Sequence, residues 1–370
     1  MTQSRLERAQ TLMAQHGLAA LLLTTEPEIR YFTGFLTRFW ESPTRPWFLI
    51  VPASGDVIAV IPSIGEPLMA RAGVSDIRTW RSPDLHDDGI GLLIETLSEV
   101  APGQIGLPDG HETHVRMPLA SLDQLRKAVS IRSDHGILRR LRLIKEEKEI
   151  DLIRTSCQIA GRAFARVPEI ATAGMPLDQV FRNFQQLCLE EGADAVPYLA
   201  GAAGPGGYAD VISPASPSPL KTGDVLMLDT GVIRSGYFAD FNRNYAVGPA
   251  SQDMTNTHLK LLAAIDAAME VARPGRTASD LFATMDNILT GGNGGSDAGR
   301  YGHGLGMQLT EWPSLIPQDN TRLEPGMVLT LEPSVQTATG SMMVHEENIV
   351  IRDGPPERLS PFAARELVSI

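Results

Sequence analysis

A ten-residue pattern that occurs twice in the C-terminal half constrains the fold of this chain more than any other feature. The segments LKTGDVLMLD (220–229) and LEPGMVLTLE (323–332) each place a leucine and a turn glycine before an apolar run. Short apolar runs bounded by glycine are typical of buried strands. Each run ends in an acid, Asp229 in the first copy and Glu332 in the second. The repeat predicts a pseudo-symmetric sheet; a chance match is the alternative, because glycine turns before apolar strands are common.

The first copy is followed by a second carboxylate that a hairpin can bring close to the first. We expect a strand that ends at Asp229, a turn at Ser235-Gly236 and an aromatic-rich strand that carries Asp240. Two carboxylates at the inner end of an apolar sheet repel each other and lose solvation, so a bound cation would keep them ionised. The alternative is a pair of solvated aspartates at the mouth of a hairpin.

The second copy is also followed by acids, Glu346 and Glu347 in VHEENIVI (344–351). The two copies together predict four carboxylates at the centre of the sheet. A fifth group is His303 in GHGLG (302–306), where the glycines permit close approach of the backbone. A lone histidine is more often structural, but four candidate acids in the same chain favour its interpretation as a metal ligand.

Four carboxylates and one imidazole suit a pair of divalent ions such as Mn, Fe, Co or Zn. Two such ions would lower the pKa of a shared water and polarise a carbonyl group. No serine or cysteine nucleophile pattern in the sequence competes with this interpretation. The sequence thus favours a metal-dependent hydrolase.

Length, charge and cysteine content exclude several classes of protein. The 370 residues, 43% of them hydrophobic, are enough for two domains. A net charge of −12 argues against nucleic acid as a partner. Cys157 and Cys188 lie in apolar helical patterns without a disulfide framework, which predicts a cytoplasmic protein. The charged N-terminus does not resemble a signal peptide, and no apolar run approaches the roughly 18 residues of a membrane helix.

The local patterns predict alternating helices and strands. Ser4 and Glu7 form a capping-box pattern before a helical stripe that stops at Gly17. Alternation and turn residues predict strands at 19–23, 47–51 and 57–61. Apolar residues spaced by three and four predict helices around 150–164, 177–188, 252–272 and 279–289.

An aromatic and basic stretch, YFTGFLTRFWESPTRPWF (31–48), separates the first two of these strands. It contains Trp40 and Arg45, and both residue types are enriched at interfaces. One interpretation is an edge of the core. The other is a contact surface, where aromatic rings suit a cationic substrate and arginine suits a carboxylate.

Four motifs in this order, DTGVIRSGYFADFNR, GHGLG, TLEP and HEEN, resemble the pita-bread metallopeptidase and creatinase family. The segments RLERAQTLMAQHGLAALLL and LRLIKEEKEIDLIR are similar to its creatinase and prolidase branch. The resemblance implies an α/β (α+β) chain with a creatinase/prolidase-type domain at 1–135 and a pita-bread catalytic domain at 136–370. It also implies a homodimer.

The resemblance also implies roles for individual residues. The family's metal ligands fall on Asp229, Asp240, His303, Glu332 and Glu346. Glu346 is preferred over Glu347 because the family's ligand usually stands three positions before an apolar strand residue, here Ile349. By the same resemblance Asp240 and Glu346 bridge two ions, while Glu332 works as acid and base and His303 belongs to the catalytic group.

Two positions depart from the proline-specific members of the family. These members carry a histidine before the first metal strand, where this chain has about Ile212. They carry another in the pattern HGxGxxxHExP, where HGLGMQLTEWP has Thr310. Neither side chain exchanges a proton as imidazole does.

Three functions follow from this combination. The first is a metal-dependent, Xaa-Pro peptidase-like hydrolase of small peptides or amides. The second is a non-peptidase that acts on a small zwitterionic or cationic compound, similar to ectoine hydrolase, creatinase or dimethylsulfoniopropionate lyase. The third is a catalytically dead binding module, which is disfavoured because no ligand is missing. The candidate substrate-binding residues are Trp40, Arg45, Tyr301 and Thr310.

Overall fold

A computed structural model describes residues 4–41, 45–295, 299–337 and 340–370 of this chain. The chain divides into two compact units, Met1–Arg142 and Leu143–Ile370. Within the four described stretches, no helix combines the length and the apolar character needed to cross a membrane.

The first unit alternates helices and strands, apart from one pair of consecutive strands. Its elements are α1 (Arg5–His16), β1 (Leu18–Leu23), α2 (Glu26–Thr33), β2 (Phe48–Pro52), β3 (Ile58–Pro62), α3 (Glu66–Arg71), β4 (Asp76–Trp80), α4 (Ile90–Val100), β5 (Gln104–Leu107), α5 (Leu119–Ala128), β6 (Ser130–Ser133) and α6 (Ile137–Leu143). The strands form a mixed sheet in the order β4-β3-β2-β1-β5-β6. The strands predicted at 19–23, 47–51 and 57–61 are confirmed as β1, β2 and β3.

The start of the chain shows how local sequence dictates structure. Ser4 Oγ accepts a hydrogen bond from the backbone N–H of Glu7, and the Glu7 carboxylate accepts one from the backbone N–H of Ser4. α1 ends at Gly17, whose φ of 64° lies in the left-handed region that favours glycine. The predicted capping box and the predicted end of the helix are both confirmed.

The core of the first unit lies between its sheet and the helices α4 and α5. Leu22, Phe48 and Val60 of the sheet pack in one buried cluster with Leu93 and Leu125 of the helices. Burial of each such side chain contributes about 1.5–3 kcal/mol to the stability of the fold.

The second unit contains both copies of the sequence repeat. Its elements are α7 (Glu147–Ala165), α8 (Val167–Ile170), α9 (Leu177–Glu190), β7 (Ala195–Pro205), β8 (Asp224–Arg234), β9 (Tyr237–Phe238), β10 (Phe241–Ala246), α10 (Gln252–Val271), α11 (Ala278–Thr290), β11 (His303–Gly304), β12 (Glu311–Ser314), β13 (Val328–Leu331), β14 (Ser334–Gln336), β15 (Met342–Val344), β16 (Glu347–Val350), β17 (Glu357–Arg358) and β18 (Val368–Ser369). The four helices predicted by apolar spacing are confirmed as α7, α9, α10 and α11.

Each copy of the repeat forms an inner strand of its own sheet. β8 pairs with β10 and β7, and β13 pairs with β16 and β11, all antiparallel. The two sheets have the orders β18-β10-β8-β7 and β12-β11-β13-β16-β17. The predicted pseudo-symmetry is confirmed in topology, as two related sheets rather than a single one.

Two local details of the prediction are wrong. β8 does not end at Asp229 but continues to Arg234, because it stays paired with β7 beyond the acid. Asp240 does not lie inside a strand but in the gap between β9 and β10. Its backbone there is hydrogen-bonded by the side chain of Asn348 instead of by a neighbouring strand. The predicted hairpin turn between β8 and β9 is confirmed.

The helices of the second unit cover its sheets. α7 packs against β8, α9 packs against β7, and α10 packs against α11. Met227, Leu261, Leu281, Leu329 and Ile349 belong to one buried cluster that joins α10 and α11 to both sheets. The two cysteines, in α7 and α9, are buried without a disulfide, as their apolar patterns predicted.

Candidate metal centre

The candidate ligands come from the two five-stranded sheets of the second unit and from the segments next to their strands, and they meet in one group, called here the acid cluster. Its members are Asp229 in β8, Asp240 between β9 and β10, His303 at the start of β11, Glu332 after β13 and Glu346 before β16. Asp240, His303 and Glu346 are buried, whereas Asp229 and Glu332 are partly exposed. The repeat explains this convergence, because each copy delivers one acid from its inner strand and one from the segment that follows.

His303 contacts two of these acids directly. Its Nε2 lies 3.4 Å from Oδ2 of Asp240 and 3.7 Å from Oε2 of Glu332. One ligand atom from each of Asp240, His303 and Glu346 lies within 4.8 Å of the other two. Oxygen and imidazole donors at such separations can share a divalent cation.

The orientation of His303 is fixed by its neighbours. Its Nδ1 is 2.8 Å from the carbonyl oxygen of Gly304, which can only accept, so Nδ1 carries the proton. Its backbone N–H donates to Oγ1 of Thr330 at 3.1 Å. Nε2 is therefore the ring nitrogen that points toward Asp240 and Glu332, the orientation that a metal-binding histidine requires.

Three carboxyl groups of the acid cluster, those of Asp229, Asp240 and Glu346, hold their protons unusually tightly. Burial, reinforced by Asp240, raises the pKa of Asp229 well above its usual value. Burial also raises the pKa of Asp240 to about 6, although His303 opposes the shift. The pKa of Glu346 is raised by burial and by the neighbouring Asp240 and Asp229. Crowded carboxyl groups of this kind are stable as anions only when a cation joins them.

Two oxygen atoms in the acid cluster lack a hydrogen-bond partner among the described residues. They are Oδ1 of Asp229 and Oε1 of Glu346, and both are buried. An unpaired buried oxygen is costly, so native structures rarely leave one without a partner, a water or an ion. These oxygens fit the donors of a metal site.

Glu347 lies apart from the acid cluster. Adjacent residues of an extended chain point to opposite sides, and Glu347 is bonded by Arg243, His345, Arg358 and Ser360. Burial acts to raise its pKa, but Arg243, His345 and Arg358 outweigh it and hold the pKa at about 2. The residues Arg243, His345, Glu347 and Arg358 are called here the ion-paired cluster.

His345 in the ion-paired cluster was not singled out from the sequence. It is fully buried, and burial lowers its pKa to about 4 despite the 3.0 Å contact between its Nε2 and the Glu347 carboxylate. Its ring lies edge-on to that of His258, with the ring centres 5.8 Å apart. His345 therefore belongs to the core and not to the candidate metal site.

Arg300 lies at the edge of the acid cluster. Its Nε donates to Oε1 of Glu332 at 3.1 Å, and its Nη2 is 3.5 Å from Oγ1 of Thr310. Glu311, the residue after Thr310, forms a buried ion pair with Lys145 at 3.0 Å and so holds the segment that carries Thr310. Thr310, a predicted substrate-binding residue, thus reaches the acid cluster through Arg300.

Other residues singled out from the sequence lie elsewhere. Ile212 is 84% exposed, outside the contacts described above. Tyr301 is buried and stacks on Phe282 with ring centres 4.8 Å apart. This placement gives Tyr301 a packing role and leaves no open ring face for a substrate.

Trp40 and Arg45 belong to the first unit. The Trp40 ring packs against Phe35 and Trp47, and the Arg116 guanidinium lies 5.2 Å from its centre. Arg116 also donates to the carbonyl oxygens of Trp40 and Arg45. The neighbouring residues 42–44 of this aromatic stretch lie outside the described residues. Within its unit, the stretch is held by Arg116, and its substrate role stays a prediction.

Several residues around the acid cluster were missed by sequence reasoning. Tyr198 donates to Oδ2 of Asp229 at 3.0 Å. Asn242 and Asn348 hydrogen-bond to the backbones of Glu346 and Asp240. The one available signal was that each asparagine stands two positions after a candidate ligand.

Two family models match the chain. The Creatinase/Prolidase N-terminal domain matches residues 5–144, and Metallopeptidase family M24 matches residues 151–353. The predicted family resemblance and the predicted α/β fold, with a creatinase-type domain before a pita-bread domain, are confirmed.

Named relatives agree with the family models. The probable dipeptidase PepE of Mycobacterium tuberculosis is 30% identical over 341 residues, which cover 90% of this chain and 87% of the relative. The Xaa-Pro dipeptidase of Pyrococcus horikoshii is 30% identical over 258 residues, covering 68% of this chain and 73% of the relative. The crystal structure of dipeptidase PepE from Mycobacterium ulcerans aligns over 99% of this chain and 96% of its own, with 28% identity and a TM-score of 0.84. Since the M24 model alone spans more than half of its residues, this chain belongs to metallopeptidase family M24 and is a metal-dependent, peptidase-like hydrolase.

Proposed function

We propose that this protein hydrolyses short peptides, with Xaa-Pro dipeptides as the leading substrates, by means of two divalent metal ions bound in the acid cluster. The observation that carries the proposal is the crowding of four carboxyl groups around one imidazole, with two orphaned oxygens. The proposed ligands are Asp229, Asp240, His303, Glu332 and Glu346. The name of a relative, Xaa-Pro dipeptidase, supports the choice of substrate.

Charge balance supports the metal ions. Arg300 brings one positive charge to the edge of the acid cluster, and His303 brings at most one more. Four carboxylates carry more negative charge than these two groups can balance. Burial and repulsion from neighbouring acids therefore raise the pKa of Asp229, Asp240 and Glu346. Oxygen ligands with one imidazole suit Mn²⁺ as well as Fe, Co or Zn, and we expect manganese to be an effective ion.

Two divalent ions bound here would polarise the scissile carbonyl and lower the pKa of a water. The residues of the chain have separate tasks around them. His303 presents Nε2 because Gly304 holds the proton on Nδ1. Asp240 and Glu346 supply one carboxylate each, from the segments just before β10 and β16. Glu332 is 18% exposed, so it can pass a proton to and from the substrate as acid and base.

Arg300 and Thr310 are proposed to bind the free carboxylate of the peptide. Arg300 is 38% exposed and lies 3.1 Å from Glu332, within reach of a substrate held at the acid cluster. A guanidinium can bind a carboxylate with two parallel hydrogen bonds, and the Thr310 hydroxyl can donate a third. Arg300 and Thr310 would replace part of the substrate binding that a histidine provides in proline-specific members of the family.

The substrate is tested with protein that has been stripped by a chelator and reloaded with Mn²⁺, Fe²⁺, Co²⁺ or Zn²⁺. We expect metal-dependent hydrolysis of Xaa-Pro dipeptides, faster than that of matched Xaa-Ala dipeptides. Asp240→Asn should abolish it, whereas Asp286→Asn, a buried acid outside the acid cluster, should not. Failure to hydrolyse any dipeptide with any of the four ions would refute the proposal.

A second function is supported by the two replaced histidine positions. Ile212 and Thr310 cannot exchange protons as imidazole does, so a non-peptidase that acts on a small zwitterionic or cationic compound is the alternative. A panel of betaine-like and cyclic amidine compounds, tested under the same metal conditions, distinguishes the two. Turnover of such a compound without turnover of dipeptides selects the second function.

The proposal also includes a cytoplasmic homodimer. Two buried thiols without a disulfide suit a reducing compartment, and the dimer rests on the family resemblance. Sedimentation should give twice the chain mass of 40.0 kDa. The substrate-binding roles of Trp40 and Arg45 stay predictions, and an unchanged KM in Trp40→Ala and Arg45→Ala would contradict them.

A further inference from the structure

Two acids of the acid cluster are each followed, two positions later, by an asparagine. Asn242 follows Asp240, and Asn348 follows Glu346. All four residues are buried. Neither asparagine carries a charge, so a role in the site depends on the hydrogen bonds of its amide.

The side chain of Asn348 takes the place of a strand partner for Asp240. Its Oδ1 accepts a hydrogen bond from the backbone N–H of Asp240 at 3.0 Å, and its Nδ2 donates to the backbone carbonyl of Asp240. The ladder is interrupted at this point, because Asp240 lies between β9 and β10. Buried backbone groups need partners, so this one amide fixes the main chain that carries the Asp240 carboxylate.

The relation is repeated in the opposite direction. Oδ1 of Asn242 accepts a hydrogen bond from the backbone N–H of Glu346 at 3.0 Å. Arg243, the residue after Asn242, donates from its Nη1 to the carbonyl oxygen of Glu346 at 3.1 Å. Glu346 precedes β16 and, like Asp240, is held by side chains instead of by a ladder.

Asn348 is itself fixed by hydrogen bonds to Cys157 and Ser360. The Cys157 thiol of α7 lies 3.2 Å from Oδ1 of Asn348, and the backbone N–H of Asn348 donates to Oγ of Ser360 at 3.0 Å. Burial raises the pKa of Cys157, so its thiol stays protonated and can donate. The amide therefore has one orientation, with its oxygen toward two donors and its nitrogen toward a carbonyl.

We propose that Asn242 and Asn348 form a reciprocal clamp that sets the separation of the Asp240 and Glu346 carboxyl groups. Asn242 holds the backbone of Glu346, and Asn348 holds the backbone of Asp240. The inference rests on the proposed metal site, since these two acids are ligands there. Asn242 and Asn348 are positioning residues, because they act on the ligands and not on the ions. Loss of either asparagine should loosen both acids.

The clamp is tested with Asn242→Leu and Asn348→Leu, which keep the volume and remove the hydrogen bonds. Each should raise the Kd of Mn²⁺, measured by competition with a chelator, by about 10–100-fold, as is typical when a partner of a metal ligand is lost. The visible absorption spectrum of the Co²⁺-loaded variants should also change. The double variant should lose less than the product of the two single effects, because the residues act on one pair of acids.

Asn244→Leu is the matched control. Asn244 is a buried asparagine of the same strand, but its amide bonds to the carbonyl of Val344 and to Tyr208. Its loss should lower the unfolding midpoint and leave the Mn²⁺ affinity and the Co²⁺ spectrum unchanged. Equal effects of all three variants on metal binding, or effects on stability alone, would overturn the clamp.

A milder pair of variants covers the case in which the leucine variants do not fold. Cys157→Ala removes one donor to Asn348 and should raise the Mn²⁺ Kd a few-fold, whereas Cys157→Ser keeps the donor and should restore it. Cys188→Ala, the other buried thiol, should have no effect. An unchanged Kd in Cys157→Ala contradicts the inference. Absence of metal binding by the unaltered protein would instead refute the proposed function.

Discussion

Two adjacent glutamates have opposite surroundings in this protein. Glu347 belongs to the ion-paired cluster, where two arginines, a histidine and a serine satisfy its carboxylate. Glu346 belongs to the acid cluster, where its neighbours are other acids and its Oε1 lacks a partner among the described residues. The pKa of Glu347 is held at about 2, while that of Glu346 is raised.

The contrast separates a structural charge from a binding charge. A buried carboxylate that has its cations in the chain adds to the stability of the folded state above its unfolded pKa. A buried carboxyl group that lacks them costs stability until a ligand supplies the charge. The five groups of the acid cluster are therefore incomplete by themselves, and this is the physical content of the proposed metal site.

The largest expected effect is that of Glu346→Gln. The substitution keeps the shape of the side chain but removes a proposed ligand. We expect activity to fall by more than about 100-fold, which is the upper range for the loss of a group that only supports a ligand. Metal content by mass spectrometry should fall with it, and full metal content in this variant would contradict the role of Glu346 as a ligand.

Glu347→Gln should act on stability instead of on metal binding. The amide leaves Arg243 and Arg358 without a buried counter-charge, which costs about 3–5 kcal/mol of unfolding free energy. Chemical denaturation measures this loss. Metal content per folded chain should remain that of the unaltered protein, and its loss would mean that the two clusters are not separate.

Metal removal should destabilise the protein more at pH 8 than at pH 5. The folded metal-free chain holds raised pKa values at Asp229, Asp240 and Glu346, about 6 for Asp240. Their contribution to stability is present below the unfolded pKa values near 4 and is lost as pH rises through the folded ones. At 100 times its Kd a metal ion restores about 2.7 kcal/mol.

Thermal unfolding of stripped and Mn²⁺-loaded protein at both pH values measures this difference. Glu347 has the opposite pH dependence. Its lowered pKa of about 2 contributes stability at both pH values, and this contribution is lost only as the pH falls toward 2. A metal-induced shift in Tm that is larger at pH 5 than at pH 8 would contradict the account.

Arg300→Ala should have the smallest effect of the four. Losing a hydrogen-bonded charge at the edge of the site is expected to raise KM for a dipeptide about tenfold, with a smaller change in kcat. Arg322→Ala is the matched control, because Arg322 is an exposed arginine whose side chain hydrogen-bonds to the carbonyl of Gly275. Equal KM values for the two variants would remove Arg300 from substrate binding.

The sequence predicted those parts of the fold that depend on nearby residues. The cap at Ser4 and Glu7 and the end of α1 at Gly17 follow from contacts within one or two helical turns. The repeat predicted the inner strands of both sheets, because a glycine turn and an apolar run act locally. The acids of the acid cluster were predicted by their positions at equivalent places in the two copies.

The missed features depend on contacts between distant parts of the chain. In the gap at Asp240 the backbone is hydrogen-bonded by the Asn348 amide, which is 108 positions away. The contact of Arg300 with Glu332 spans 32 positions, and neither periodicity nor spacing reports it. The sequence could not separate Glu346 from Glu347 by chemistry, since both are buried glutamates and only their neighbours differ.

The central claim is that paired metal ions lie among Asp229, Asp240, His303, Glu332 and Glu346. Anomalous diffraction from crystals grown with Mn²⁺ tests it most directly. We expect two peaks inside the acid cluster, with carboxylate oxygens of Asp240 and Glu346 between them, and no peak beside Glu347. A single peak elsewhere, or an acid cluster without any peak at saturating Mn²⁺, would contradict it.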